Sequence, residues 1–467
     1  MSVRTVLDRL ERATRPADPR TASALRQRWE ALPAEARTPA QSLGRHAVGC
    51  EGTHGVFPKC NLTCSPCYHS KDANKVRVDG DHTVAEVTRQ MALFRRERGP
   101  HAHAQLIGGE VSLLSPDAHA ATLLAMRQHG REPMSMTHGD FDETYLRSVV
   151  LGADGRPRLA RVSFAAHFDS LMRGRRGIPR PRSEADLNPY RAAFAAMFSR
   201  LRREQGVRSY LAHTMTVTTQ NVDEIAELVA TVPAMGYSMM SFQPAARVGD
   251  DRRWKEGVAD VGMDDVWQQI EQGLGRSAPW QAVEFGDPRC NRTAFGLRVH
   301  DDWHPLLDPD ETGDLAARDW FYRHLAGMDF LHTPVWLVVV KLLRSVVQHP
   351  SGVRVVSAYG RRLVGRVGGL RVILTALARR RVTPLTLVVH AFMDADVVAP
   401  AWALMEQGVE AAEPSVRATQ ERLQACMYTM AHPDTGRLIP ACVQHSVLDP
   451  DENEELRRLL PLTVLRG

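Results

Sequence analysis

The sequence predicts an α/β protein with a parallel sheet at its centre, an N-terminal helical segment before it and a C-terminal α+β extension after it. Two observations lead there. Short apolar or alternating segments recur between amphipathic helical stretches across residues 46–250, and that alternation implies parallel strands joined by right-handed crossovers. At 467 residues, 43% of them hydrophobic, the chain has enough apolar side chain for a large core in two or three domains. In order along the chain, residues 1–12 read as an amphipathic helix, too polar for a signal peptide. Residues 104–110 form a short apolar strand ending in Gly108, Gly109 and Glu110. The glycines would let backbone approach a ligand closely, and Glu110 would accept a hydrogen bond from an ammonium group. Residues 133–139, 160–170, 210–221 and 238–249 read as further strands. Asp169 falls near the carboxyl end of its strand, where parallel-barrel proteins place ligand-contacting groups. Asn221 is placed to cap the helix that follows. Residues 84–98, 189–205 and 222–235 are amphipathic helices between the strands. The resulting division is 1–45 (helical), 46–250 (core), 251–329 (connecting) and 330–467 (basic, amphipathic).

The chemistry concentrates in residues 57–68, where Cys60, Cys64 and Cys67 are spaced C-x3-C-x2-C. Three thiols this close leave one over if two pair as a disulfide. They suit three corners of a cubane iron–sulfur cluster, because soft thiolates are the preferred ligands of such centres. Three ligands leave one iron open, as catalytic metal sites keep a free position. Zinc is the competing reading, although zinc sites usually come as two paired knuckles.

On the cysteine spacing and the Gly108-Gly109-Glu110 strand end, residues 50–250 resemble the radical SAM superfamily. The match departs at Pro66, where the family usually has an aromatic; here the aromatic is Tyr68. The resemblance implies an open (βα)6 partial barrel. It also implies a [4Fe–4S] cluster on Cys60, Cys64 and Cys67 whose open iron chelates S-adenosylmethionine (SAM). Gly108, Gly109 and Glu110 would bind the methionine end of SAM, with Asp169 and Asn221 as further contacts at the barrel mouth. A reduced flavodoxin or ferredoxin would donate the electron. The chain is also similar, over shorter segments, to the branch that includes archaeal tetraether lipid synthase: His167-Phe168-Asp169-Ser170, Gln243-Pro244-Ala245, Phe392-Met393-Asp394 and Pro288-Arg289-Cys290. That branch's additional N-terminal cysteine pairs are missing, since Cys50 alone precedes the core motif.

Cys50, Cys290, Cys426 and Cys442 remain, the number that fully ligates a second [4Fe–4S] cluster. Cys426 and Cys442 flank an Asp434-Thr435-Gly436 turn that reads as a hairpin bringing both thiols together. Cys290 lies in a turn-rich loop. These three are the candidate auxiliary ligands; buried structural thiols are the alternative. The second anomaly is charge. Residues 330–393 contain no Asp or Glu but hold Lys341 and nine arginines among many Val and Leu, while the whole chain is only +5. A basic amphipathic stretch points to an anionic membrane surface or lipid, and its sparse aromatics argue against nucleic acid. The expected location is the cytoplasm, peripheral at the inner face of the membrane. Three functions compete: an enzyme for a lipid or other hydrophobic anion, a maturase for a peptide or small metabolite, and a non-catalytic redox sensor.

Overall fold

The computed structural model describes residues 11, 14–68, 71–248, 261–330 and 333–462. The helix expected at residues 1–12 lies almost wholly outside them. Six parallel strands form the centre: β1 (Cys50–Gly52), β3 (Ala102–Leu106), β4 (Arg131–Thr137), β5 (Arg161–His167), β7 (Arg208–Val217) and β8 (Met239–Pro244), adjacent in that order. Between them, β2 (Thr63–Cys64) and β6 (Met172–Arg173) pair separately in antiparallel fashion. Both edges of the central sheet are then extended from later in the chain. Beyond β8 lie β11 (Val382–His390), parallel to it, and the antiparallel strands β9 (Asn291–Val299) and β10 (Asp302–Pro305). Beyond β1 lie β12 (Tyr428–His432), parallel to it, and β13 (Arg437–Pro440). The fold is therefore mixed α/β on a largely parallel sheet, eleven-stranded among the described residues.

Local sequence explains the crossovers. Asp79 accepts from the His82 amide to start the Gly80–Arg98 helix, and Gly99, at φ 86°, stops it. Leu187 precedes the Asn188–Gln205 helix, which ends at Gly206 in the left-handed region. The stretch expected as one helix over 222–235 is instead an α-helix (Ile225–Thr231) between two tight 3-10 turns, because Pro233 and then Gly236 break the α-pattern. Asn221 does not cap it. Its Oδ1 accepts from the Thr218 amide instead (2.9 Å), so the side chain turns back toward its own strand.

One face of the sheet packs on Phe164, Phe168, Phe194 and Phe198, with ring centroids 5.0–5.8 Å apart along the chain of contacts. At the opposite end of the strands from their carboxyl loops, Arg131 donates from Nε and Nη2 to both oxygens of Glu51 (2.9 and 3.0 Å), with both side chains fully buried. Arg131 also donates to the Gly99 and His129 carbonyls, so the β4 start is tied to β1 and to the helix end.

His119 is fully buried on the Pro116–Gln128 helix, between the Ser135 hydroxyl (2.8 Å) and the Tyr145 hydroxyl (3.1 Å). Burial pushes its pKa down to about 3. The unfolded chain therefore binds a proton below about pH 6.5 that the folded chain refuses. Stability present above that pH is lost as pH falls toward the folded value, by up to about 1.4 kcal/mol per unit. Urea midpoints at about pH 7 and about pH 5 should drop less in His119→Gln than in the parent; an equal drop would contradict this assignment.

Candidate functional site at the carboxyl end of the sheet

Because the central strands are parallel, the segments that follow them emerge at one end. The cysteine loop follows β1, Gly108–Glu110 follow β3, His138 follows β4, Asp169 follows β5 and Asn221 follows β7. The sequence-predicted residues Cys60, Cys64, Cys67, Gly108, Gly109, Glu110, Asp169 and Asn221 thus share one end of the sheet.

Cys60 is held by its amide, which donates to Asn74 Oδ1 (2.8 Å), while its sulfur accepts from the Leu62 amide (3.4 Å). Cys64 lies on β2 opposite Met172, which brings the thiol beside the chain leaving β5. The hydrogen bond of its thiol to Cys67, burial, and the fields of Cys67, Asp169 and Cys60 push the Cys64 thiol well up. Three crowded thiols facing a carboxylate resist ionisation unless a cation sits among them. The donors are all sulfur, so the set fits an iron–sulfur cluster better than a hard cation.

Gly108 and Gly109 do leave room for a close backbone approach, but the backbone that approaches is the cysteine loop. A Cβ on Gly109 would lie 2.0 Å from the Lys59 carbonyl oxygen, and one on Gly108 would lie 2.7 Å from the Phe57 ring. The Gly109 amide donates to the Phe57 carbonyl (2.7 Å) and the Glu110 amide to the Lys59 carbonyl (2.9 Å). Glu110 is fully buried, and protein donors satisfy it. Oε1 accepts from the Ser112 amide (2.9 Å) and Thr137 hydroxyl (2.7 Å), and Oε2 from the His138 amide (2.8 Å). In this conformation the carboxylate braces the loops after β3 and β4.

Asp169 and Asn221 are brought into one network through Thr216 and Glu184, neither of which lies in a sequence motif. Asp169 Oδ1 accepts from the Leu171 amide (2.9 Å), and Oδ2 lies 2.7 Å from His167 Nε2 and accepts from the Thr216 amide (3.2 Å). Burial would raise the Asp169 carboxyl, but His167 and these amides outweigh it and hold the carboxyl below its usual range. Asn221 donates to Glu184 Oε1 (3.2 Å) and to the Thr216 carbonyl (3.1 Å). Burial and the Asp169 charge raise the Glu184 carboxyl, although Arg191 donates to Glu184 Oε2 (2.6 Å). His138, Thr137, Glu184 and Arg191 were not legible as site residues, because each reaches its partner from a different strand or helix.

A small cleft opens beside the cysteine loop, lined by His54, Pro58, Tyr68, Gly108, His445 and Glu452 among others. Tyr68 carries the loop into the C-terminal region: its ring centroid lies 4.6 Å from His445 and 6.4 Å from Phe392. His54, His432 and Glu452 place potential ligand atoms within 4.8 Å of one another. The two imidazoles are stacked at 4.1 Å, so one ion cannot lie in the plane of both rings. They read instead as an ion pair. Burial opposes charge on His54, but Glu452, 2.9 Å away, raises its pKa.

The remaining cysteines gather around the start of β12, the end of β13 and the loop before β9. Cys426 and Cys442 bracket the β12–β13 hairpin, and Cys50 pairs with Tyr428 in the sheet. Burial raises Cys290 to about 11 and Cys442 well up; Cys426 raises both further, and Cys290 also raises Cys442. Burial likewise raises Cys426. Around them stand cations: Arg422 Nε donates to Cys290 Sγ (3.2 Å), Arg28 to the Cys426 carbonyl (2.7 Å) and Arg98 to the Cys50 carbonyl (3.2 Å). The Tyr428 hydroxyl, buried in the same region, has no hydrogen-bond partner among the described residues. Thiols, arginines and an orphaned hydroxyl together fit an anionic, thiolate-bound group.

No protein-family model and no curated protein matches the chain. Among solved structures it is similar to Streptococcus suis SuiB, at 13% identity and a TM-score of 0.32, over 49% of this chain and 46% of that one. It is also similar to native anSMEcpe with bound AdoMet, at 14% identity and a TM-score of 0.30, over 47% and 57%. The chain spans about half the length of these structures.

Proposed function

We propose that this chain is a radical SAM enzyme that abstracts hydrogen from an unactivated carbon of a lipid or other hydrophobic anionic substrate. The observation that carries the reading is the all-sulfur set Cys60, Cys64 and Cys67 on a loop locked to Gly108 and Gly109 at the carboxyl end of a parallel sheet. Cys60, Cys64 and Cys67 would hold a [4Fe–4S] cluster. Reduced by a carrier such as flavodoxin or ferredoxin, that cluster would supply the electron that cleaves SAM to methionine and a 5′-deoxyadenosyl radical. The protein's share is positioning and exclusion of water. Gly108 and Gly109 fix the loop, Glu110 ties the strand ends around it, and Asp169 lies against His167 at the rim. Cys290, Cys426 and Cys442, with Cys50 on the adjoining strand, would hold a second [4Fe–4S] cluster. The lipid class is supported by the acid-free stretch 330–393 and by the short similarities to the tetraether lipid synthase branch.

Untargeted mass spectrometry of extracts tests the substrate class. It would compare cells carrying the gene, lacking it, or carrying Cys60→Ala/Cys64→Ala/Cys67→Ala. A lipid that loses hydrogen or gains carbon only with the intact gene is expected. Unchanged lipids beside an altered peptide or polar metabolite would overturn the lipid class.

A further inference from the structure

Three consecutive helices turn apolar side chains outward. On the Val335–Gln348 helix, Trp336, Val339, Val340, Leu343 and Val347 recur at helical spacing and are exposed, Trp336 by 68% and Val347 by 77%. The opposite side of the same helix is apolar too: Val338, Leu342 and Val346 pack on Trp320, Leu325 and Met328. A helix apolar on both sides is normally covered on both. Leu370, Leu374 and Leu377 form a second outward stripe on Leu370–Ala378, while Val372 and Ile373 face inward. On Ser351–Arg366, which joins them in sequence, Val353 and Val356 are exposed.

Charge decides what covers this face. Some cations of the region have internal work: Arg362 and Arg366 both pair with the buried Asp314, and Lys341 donates to the Pro16 carbonyl. Arg354, Arg361, Arg371, Arg379, Arg380 and Arg381 are exposed, and none has a carboxylate partner among the described residues. A second copy of this face would bring like charges together. A helix of this kind, apolar beside arginine and free of acids, suits the boundary between acyl chains and anionic headgroups. No helix among the described residues is long and apolar enough to cross a membrane.

We infer that the three helices over 335–378 are a docking surface for an anionic lipid bilayer, with the apolar stripes entering the headgroup boundary and the free arginines contacting lipid phosphates. The inference rests on the lipid reading of the substrate, and binding is measured apart from turnover so that each can fail alone. Vesicle flotation provides the test, using phosphatidylcholine alone and phosphatidylcholine with phosphatidylglycerol. The full chain should float with the phosphatidylglycerol vesicles and much less with the neutral ones. Leu343→Glu/Val347→Glu and, separately, Arg379→Glu/Arg380→Glu/Arg381→Glu should each weaken partitioning by about tenfold or more. Both variants should keep the parent melting temperature and 5′-deoxyadenosine formation, since neither touches the cleft. Failure of the parent to float with either vesicle, or flotation unchanged in both variants, overturns the inference. So does a parent dimer in sedimentation that Leu343→Glu/Val347→Glu converts to monomer, because the face would then be an interface between copies. Flotation without any lipid product would sink the lipid substrate and leave the docking surface standing.

Discussion

Arg131→Met is expected to destabilise the protein by about 3–5 kcal/mol, because it strands the Glu51 carboxylate without its partner in a fully buried position. Arg98 offsets only part of the loss, since its Nη1 stands 3.9 Å from Glu51 while donating to the Cys50 carbonyl, and its Nη2 donates to Thr429. The size of the effect comes from desolvation. A buried pair contributes little over an apolar replacement of both partners, whereas removal of one leaves an uncompensated charge. Adding Glu51→Leu to Arg131→Met should therefore recover most of the loss. Urea unfolding of the parent, the single variant and the double variant measures both steps. A single-variant loss below about 1 kcal/mol, the scale of a surface pair, would mean that water reaches Glu51.

Cys64→Ala is expected to lower 5′-deoxyadenosine formation by more than about 100-fold, beyond the scale of losing an outer-shell partner of a metal ligand, and to reduce bound iron after reconstitution. Cys64 stands in the field of both other thiols and of Asp169, so its loss removes one corner of the ligand set. The fold should tolerate the change, because β2 contributes only a two-residue pairing with β6. Cys442→Ala gives the contrast. It should leave SAM cleavage at the first cluster measurable while lowering the iron content. Equal iron in the parent and in Cys64→Ala would place the metal elsewhere.

The central strands after residue 100 were legible because each pairs an apolar or alternating run with a polar or glycine-bearing end. β5, for example, runs from Arg161 to His167 inside the expected 160–170. β1 was not, since Cys50-Glu51-Gly52 has no period and is defined only by its neighbours β3 and β12. The β12–β13 hairpin could be read from Asp434-Thr435-Gly436, but its parallel pairing with β1 is a long-range event that leaves no local trace. β11 sat inside the acid-free stretch, where charge masked a strand that joins β8.

The site shows the same boundary. Gly108 and Gly109 signalled a close approach, and sequence could not say that the Lys59 carbonyl, rather than a ligand, makes it. Asn221 looked like a helix cap from its position alone; Glu184, on a separate segment, supplies an acceptor that its side chain reaches instead. The outward apolar stripes were invisible for a related reason: residue type gives a helical period, but only the packed structure shows which side of the helix is already covered.

The central claim is that Cys60, Cys64 and Cys67 support reductive cleavage of SAM. Its most direct measurement is the amount of 5′-deoxyadenosine formed per reconstituted protein under anaerobic conditions, with dithionite and SAM, for the parent and for the variant lacking all three thiols. The account predicts product from the parent and none above background from the variant, with the parent also binding more iron. Product formed equally by both, or absent from a parent that carries its full iron and is supplied with lipid extract, would contradict it.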